Sequence, residues 1–189
     1  MMRKAIYLVP LVLVVLAGAV GWMLGNSVGS ESTKADIGAP IVYNAKVCVY
    51  KNGELITCKP NVLTNAGKEL IEAYLAQEGL GPTSLTPVKY IAVGNGTAPS
   101  ASSTSLDSEI TDCGLARAAG TYSDQGVGNW SFSHTWTCEC DGVTVSTTGI
   151  FNASSGGTMF AGMSFNPSTL YSDDQLTVTW YINVTEAGS

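Results

Sequence analysis

The side chains that could carry out chemistry in this sequence are few and widely spaced. His134 is the only histidine, so any Ser-His-Asp or Cys-His catalytic site would have to include it. It stands between Phe132 and Trp136 in an alternating, strand-like segment, where an imidazole is more often packed or hydrogen-bonded than catalytic. No set of nucleophile, base and oxyanion donors is recognisable around it. The sequence therefore predicts no catalytic residues, and we expect a protein that is not an enzyme.

Two groups of side chains have the atoms that metal ions bind. Cys138 and Cys140 form a C-x-C pair, which on a strand lacks the C-x₂₋₄-C spacing of structural zinc sites. Asp173 and Asp174, together with Asp124, carry the oxygen ligands that calcium prefers. We interpret the first group as disulfide or buried thiol and the second as a solvated acidic turn. We therefore expect no bound metal and no cofactor.

A glycine-rich tripeptide, Gly94-Asn95-Gly96, follows a strand-like segment at residues 90–93. A dinucleotide-binding loop would open a helix here, so that the helix N-terminus could hold pyrophosphate, but Pro99 and a run of serines and threonines follow. A Walker-type loop needs a lysine after its last glycine, and no lysine occurs beyond Lys89. We predict instead an exit turn of the strand and then a pliable surface loop at residues 97–105, able to pack against a neighbour or to carry a glycan.

Composition limits the partners that the chain can bind through charge. Only 13% of its 189 residues are charged, and the formal net charge is −6. No basic surface is available to neutralise phosphates, so we expect no binding to nucleic acid. The length is that of one ordinary domain with additions at its ends.

An apolar segment without charges occupies residues 5–24. As a helix it would be roughly 30 Å long, the thickness of the hydrocarbon core of a bilayer. Arg3 and Lys4 precede it, which would keep that end in the cytoplasm and place the rest of the chain outside. We therefore predict three parts: a basic start with a membrane-anchor helix at residues 1–24, a small and polar linker at residues 25–40, and a β-rich extracytoplasmic domain at residues 41–189.

Two other interpretations of the apolar segment stay open. A cleaved secretory signal would use the small residues Ala17-Gly18-Ala19, although the apolar run continues past them. The third interpretation is a prepilin-type leader. Lys4-Ala5 before an apolar helix with Pro10 resembles the leader of archaeal type IV pilins, whose helix packs into a filament core after cleavage. The acidic residue that many such helices carry near their start is absent here.

All five cysteines follow the apolar segment, which agrees with an oxidising location outside the cell. Cys48 and Cys58 flank Asn52-Gly53, a strong signal for a two-residue hairpin turn, so the two thiols would meet across the strands as a disulfide. The alternative is a pair of buried free thiols in a reduced protein. The remaining three can form at most one internal pair, which leaves one thiol free or paired with another chain; they are Cys113, Cys138 and Cys140.

Four Asn-x-Ser/Thr tripeptides would accept N-linked glycan in a source that glycosylates. Their asparagines are Asn95, Asn129, Asn152 and Asn183. Such tripeptides also arise by chance in a chain rich in serine and threonine, so they are candidates for modification and no more.

Periodicity predicts one helix outside the N-terminal segment. Thr64 or Asn65 can cap its start, and Gly79 can end it. One stripe of this helix is apolar and would cover a sheet; it consists of Leu70, Ile71, Tyr74 and Leu75.

The rest of the chain has the two-residue alternation of strands. Side chains alternate along residues 130–138 and again along residues 176–184, and Asp141-Gly142 signals a second hairpin. Several short alternating strands joined by turns are typical of a β-sandwich. We expect a mainly β, sandwich-like antiparallel domain with one α-helix packed on it, preceded by a single N-terminal hydrophobic helix.

Three sequence blocks follow one another in the first half of the domain: VLTNAGKELI from Val62, YIAVGNGTAP from Tyr90, and SLDSEI ending at Ile110. Together they resemble the N-terminal part of phage tail-collar fibre proteins and related tail-fibre-like virion proteins. The strand around Trp180 is similar to the closing strand of such domains. The resemblance implies a structural or attachment role, and it supplies no catalytic residue.

These fibre proteins generally lack a transmembrane helix, whereas this chain begins with an apolar segment. The two features together predict a membrane-anchored surface protein, structural or attachment, of a virion or cell envelope, with its C-terminal domain outside. The alternative is a subunit of an extracellular, archaeal type IV pilin-like filament with the N-terminal helix as polymer core. Expected partners are the lipid bilayer, further copies of the chain or other envelope or virion proteins, and a receptor or glycan on a host surface.

Overall fold

The computed structural model describes residues 40–76 and 86–187. The anchor helix and the linker expected from the sequence lie outside these residues, apart from Pro40, and so does the expected helix end at Gly79. Within the described ranges, no helix is long and apolar enough to cross a membrane.

The described residues form two five-stranded antiparallel sheets and one helix. The strands are β1 (Ile41–Lys51), β2 (Glu54–Pro60), β3 (Val62–Leu63), β4 (Tyr90–Gly94), β5 (Ala118–Ala119), β6 (Thr121–Asp124), β7 (Asn129–Thr137), β8 (Val143–Phe151), β9 (Met159–Leu170) and β10 (Gln175–Glu186), and the helix is α1 (Asn65–Ala76). Sheet A has the strand order β2-β1-β10-β7-β6, and sheet B has the order β3-β9-β8-β4-β5. The mainly β, antiparallel character predicted from the alternation is confirmed.

One hydrophobic cluster contains buried side chains from both sheets. The alternating apolar residues of β10 are buried from Leu176 to Ile182, with Trp180 fully enclosed, whereas Val184 at the end of the alternation is 37% exposed. Sheet B contributes residues such as Ile91, Val93 and Ile150 to the same cluster. The burial of this shared apolar surface is the main force that holds the sheets together.

The β1–β2 hairpin forms on the turn that the sequence indicates. Asn52 and Gly53 both have positive φ angles, 51° and 83°, the conformation that a two-residue type I′ turn requires. The turn pairs Lys51 with Glu54, and a register shift between Val49 and Tyr50 then places Cys48 opposite Cys58. A disulfide joins the two cysteines. The turn brings the two strands together, and the register shift completes the cysteine pairing.

Strands β1 and β10 pair antiparallel along their whole lengths. Beyond the last pair, the amide of Ala187 donates a hydrogen bond to the carbonyl oxygen of Pro40 at 2.8 Å. The described chain thus enters and leaves the domain at one end, which we call the terminal end. The opposite end carries the Asn52-Gly53 turn, and we call it the turn end.

Helix α1 is fixed at its N-terminus by Thr64. The Thr64 hydroxyl accepts a hydrogen bond from the amide of Gly67 at 2.8 Å and donates to the carbonyl of Met159 at 2.6 Å, which makes it an N-cap tied to β9. The prediction that Leu75 belongs to the buried apolar stripe of α1 is wrong, because Leu75 is 79% exposed. At about 100° of rotation per residue, Leu75 lies on the flank of the stripe, beyond the face that Leu70 buries.

Candidate functional site

His134 is part of the packing of sheet A. Its Nδ1 lies 3.2 Å from the carbonyl oxygen of Ala119, and its ring packs edge-on against Trp136 with centroids 4.6 Å apart. Burial lowers the pKa of His134 more than the hydrogen bond to Ala119 raises it. The imidazole is therefore neutral at pH 7 and donates its Nδ1 proton to that carbonyl.

The three later cysteines divide into a pair and a single thiol. Cys113 and Cys140 form a disulfide, and Cys138 is free and buried. The Sγ of Cys138 donates a hydrogen bond to the carbonyl of Cys140 at 3.1 Å.

The acidic turn at the turn end is held by neighbouring side chains. One Asp174 oxygen lies 2.8 Å from Nζ of Lys51, and the other accepts a hydrogen bond from Nδ2 of Asn52 at 2.7 Å. Hydrogen bonds from Lys51, Asn52 and the Tyr171 amide lower the pKa of Asp174 to about 2. Asp124 lies at the far end of sheet A, beside the terminal end, so the three aspartates do not converge. The described residues contain no cluster of His, Cys, Asp and Glu suited to a metal ion.

Residues 95–109, the small-residue loop, are fastened to their own domain. A carboxylate oxygen of Asp107 accepts a hydrogen bond from the Thr97 amide at 2.8 Å, closing the loop across its base, and this bond lowers the pKa of Asp107. Near the middle, the carbonyl of Ala101 accepts from the amide of Asn65 at 2.7 Å. These bonds correct the prediction of a pliable loop at residues 97–105.

Apolar contacts hold the same loop from below. Leu106 is buried in a small cluster with Ala92, Phe151 and Met159 of sheet B. The glycines at the base of the loop permit this path, since a Cβ on Gly96 would lie 2.6 Å from the carboxylate of Asp107. Close approach of the backbone thus explains the glycine-rich tripeptide without a phosphate.

An ion pair that no sequence pattern indicates ends this loop. Arg117 binds the carboxylate of Glu109 with two nitrogens and donates to the carbonyls of Ala153 and Gly156. Its guanidinium lies 3.5 Å from the ring centroid of Phe151. Neither Arg117 nor Glu109 belongs to a sequence pattern that indicates a partner, and only the fold brings the two side chains together.

A groove lies on sheet A at the terminal end. Four amide side chains and the ring of Tyr181 line it; the amides are Asn44, Gln125, Asn129 and Asn183. Trp130 lies opposite Ile182, so its indole is on the other face of the sheet. Its volume is about 490 Å³, within the range of roughly 300–1,000 Å³ usual for small-molecule sites. We call it the amide groove. Lys46 is its single charged residue, and no carboxylate lines it in the described part of the chain.

The amides of the groove are ordered before any ligand arrives. Nδ2 of Asn183 donates to Oδ1 of Asn129 at 2.5 Å, and Nδ2 of Asn129 donates to the carbonyl of Val127 at 3.1 Å. These two hydrogen bonds leave Oδ1 of Asn183 available as an acceptor. Asn44 lies opposite Asn183 on the neighbouring strand, and its exposed side chain has no hydrogen-bond partner within the described residues. Only the pairing of β1, β10 and β7 reveals this set, because its members are far apart in sequence.

The four glycosylation candidates differ in their surroundings. Asn95 is exposed, and its side chain makes no hydrogen bond within the described ranges. Oδ1 of Asn152 accepts a hydrogen bond from the Thr158 amide at 2.7 Å. Asn129 and Asn183 bond to each other in the amide groove. Asn95 is therefore the exposed candidate with neither amide atom hydrogen-bonded within the described residues.

Comparison with known proteins does not place the chain in a family. No protein-family model matches it, and no curated protein matches it either. The resemblance to tail-fibre proteins stays a prediction from the sequence blocks, and the role of the chain has to be argued from its own residues.

Proposed function

We propose that this chain is a non-enzymatic structural and attachment protein on the surface of a virion or cell, anchored in the envelope by its N-terminal apolar segment. The observation that carries the proposal is the shared position of the two ends of the domain, where Ala187 bonds to Pro40. A domain that begins and stops at one end can be tethered there, which leaves the turn end free to face outward.

The residues of the family-like blocks support a structural role. Thr64 caps α1 and Gly67 lies against β9, while Leu106, Asp107 and Glu109 fasten the small-residue loop. Each has a partner within the domain that accounts for its chemistry. None is left to act on a substrate.

The two disulfides support a location outside the cytoplasm, because such bonds persist in oxidising compartments. They join Cys48 to Cys58 and Cys113 to Cys140. Both link segments near the turn end, the part that would be farthest from an anchored terminal end.

A filament subunit is the second candidate, and the exposed edge of sheet A favours it. All four residues of β6 are exposed, and Tyr122 is 58% exposed. An edge strand without lysine or proline can pair with a strand of another chain. A pilin-like polymer would use such lateral contacts in addition to a helical core.

Mass spectrometry of the mature N-terminus in the native source tests these candidates. An anchored protein should begin at Met1 or Met2 and remain in the membrane fraction after a high-salt wash. A filament subunit should begin near Ala5 and sediment with fibres. A protein that begins near Val20 and stays in the soluble fraction would refute the anchored form. Cryo-electron microscopy of the same fraction separates a studded envelope from a filament.

A further inference from the structure

We propose that the amide groove is a binding site for a neutral oligosaccharide. The inference rests on the proposed attachment role and assigns to it a ligand class and a location. The groove combines planar amides, one aromatic ring and a single charge.

The amides suit hydroxyl groups. A sugar presents neighbouring hydroxyls that each donate and accept, and an amide side chain offers one acceptor and two donors in a plane. Asn44 has both functions free within the described residues, and Asn183 has its Oδ1 free because its nitrogen is bound to Asn129. Because hydrogen bonds already hold Asn129 and Asn183 in place, ordering these side chains on binding costs less conformational entropy.

The ring of Tyr181 suits the apolar face of a sugar. Tyr181 lines the groove and is partly exposed. It is two residues from Asn183 in β10, so the ring and the amide lie on the same face of the sheet. An aromatic side chain of this kind supplies contact area at little conformational cost.

The charges argue against an acidic ligand. Lys46 is the only cation in the lining, and its Nζ is already placed 5.4 Å from the Tyr181 ring centroid. The chain as a whole carries a net charge of −6, which repels anions. A neutral saccharide does not need a second cation in the groove, and the net negative charge of the chain does not repel it.

The position of the groove argues against an extended peptide. Peptides that add to a sheet need an unpaired edge, whereas β1, β10 and β7, which carry most of the lining, are interior strands of sheet A. Their backbone groups are paired on both sides, so recognition has to come from side chains. This again favours a ligand rich in hydroxyls.

The test uses the full chain made without glycosylation and kept in a detergent that has no sugar headgroup. The probes are maltotriose, cellotriose, mannotriose and chitotriose, with sialyllactose as the acidic comparison. We expect at least one neutral trisaccharide to show saturation transfer from the protein. We expect sialyllactose to bind more weakly.

Asn44→Ala should weaken this binding about tenfold, the value of one or two lost hydrogen bonds, and Tyr181→Ala should weaken it at least as much. Asn44 is exposed on a paired strand, so its variant keeps the fold even if the tyrosine variant does not. Tyr171→Ala is the matched control, since it removes an exposed aromatic ring at the turn end.

Three results would overturn the inference: no neutral trisaccharide binds at roughly 10 mM, beyond the millimolar range of weak recognition; binding is unchanged in Asn44→Ala; or sialyllactose binds most tightly. A chain that proves to be membrane-anchored and still binds no trisaccharide refutes the saccharide site alone. A chain that binds one but is soluble with an N-terminus near Val20 refutes the anchored display alone.

Discussion

The guanidinium of Arg117 grips the carboxylate of Glu109 at two points, with Nε to Oε1 at 2.9 Å and Nη2 to Oε2 at 2.6 Å. The same group donates to the carbonyl of Ala153 and stacks on Phe151. A planar, always charged guanidinium can satisfy a carboxylate, a carbonyl and a ring face together. This pair joins the small-residue loop to the turn that follows β8.

Arg117→Met should lower the free energy of unfolding by about 3 kcal/mol, because it leaves the Glu109 carboxylate without its partner in a largely buried site. The free energy of unfolding of Arg117→Lys should lie between those of the unchanged protein and Arg117→Met, because a lysine keeps the charge but loses the two-point geometry. Denaturant unfolding followed by circular dichroism measures both. Lys59→Met removes an exposed cation and should change little; an equal loss in that control would contradict a specific role for Arg117.

Gly67→Ala should destabilise the domain by more than the usual cost of a side chain in a helix. A Cβ at this position would lie 2.1 Å from the carbonyl oxygen of Phe160, so α1 would have to move away from β9. Thermal unfolding should show a clear drop in Tm. Glu72→Ala, on the exposed face of the same helix, should leave Tm nearly unchanged, and matched Tm values for the two variants would show that α1 is not tightly docked.

Local signals made part of this fold predictable. Asn52-Gly53 indicated a hairpin, which brings together the strands that carry Cys48 and Cys58. A register shift between Val49 and Tyr50, which no local signal indicates, places the two cysteines directly opposite each other. The alternation of apolar and polar residues around Trp180 predicted the last strand, β10. In each case the information lies within about a dozen residues, the range over which backbone conformation is set by neighbours.

Features that depend on distant partners could not be predicted in this way. Nothing near Arg117 indicates that Glu109 will be its partner. The small-residue loop has the composition of a mobile segment, and its order comes from Asp107 and from the burial of Leu106. The amide groove needs Asn44 and Asn183 on adjacent strands, a pairing that no local pattern specifies.

Asp174 makes the stability of the turn end depend on pH in the acid range. Its pKa is held at about 2 in the folded state, below the ordinary value near 4 of an unfolded aspartate. Its contribution is therefore fully present above about pH 4 and is lost as the pH falls towards 2. Asp174→Asn should flatten the acid dependence of unfolding between those values.

Asp173→Asn is the control for that titration, because it changes a neighbouring carboxylate while keeping a residue that tolerates the positive φ of 70° found there. Lys51→Met should act like Asp174→Asn in the same pH window, since Nζ of Lys51 is bound to Asp174. An acid dependence that both of these turn-end variants leave intact would locate the effect elsewhere.

Asn95 should be the main glycan acceptor when the full chain is made in a eukaryotic secretory host. Its side chain is exposed at the start of the small-residue loop, whereas the amides of Asn129 and Asn183 are bonded to each other. Glycopeptide mass spectrometry measures the occupancy of each site. Thr97→Ala should abolish the Asn95 glycan and Thr97→Ser should keep it; high occupancy at Asn183 would show that the groove opens.

Cys138 should behave as a single, protected thiol. It is 1% exposed and its Sγ is bonded to the carbonyl of Cys140, while the other four of the five cysteines are in disulfides. Iodoacetamide should therefore add nothing to the folded protein, one group after unfolding without reductant, and five after reduction. Cys138→Ala should remove the single label and leave the native fold, because alanine fills most of the same apolar site. A disulfide-linked dimer on a non-reducing gel, lost in Cys138→Ala, would instead mean that this thiol joins two chains and that the strand end around it opens in the assembled protein.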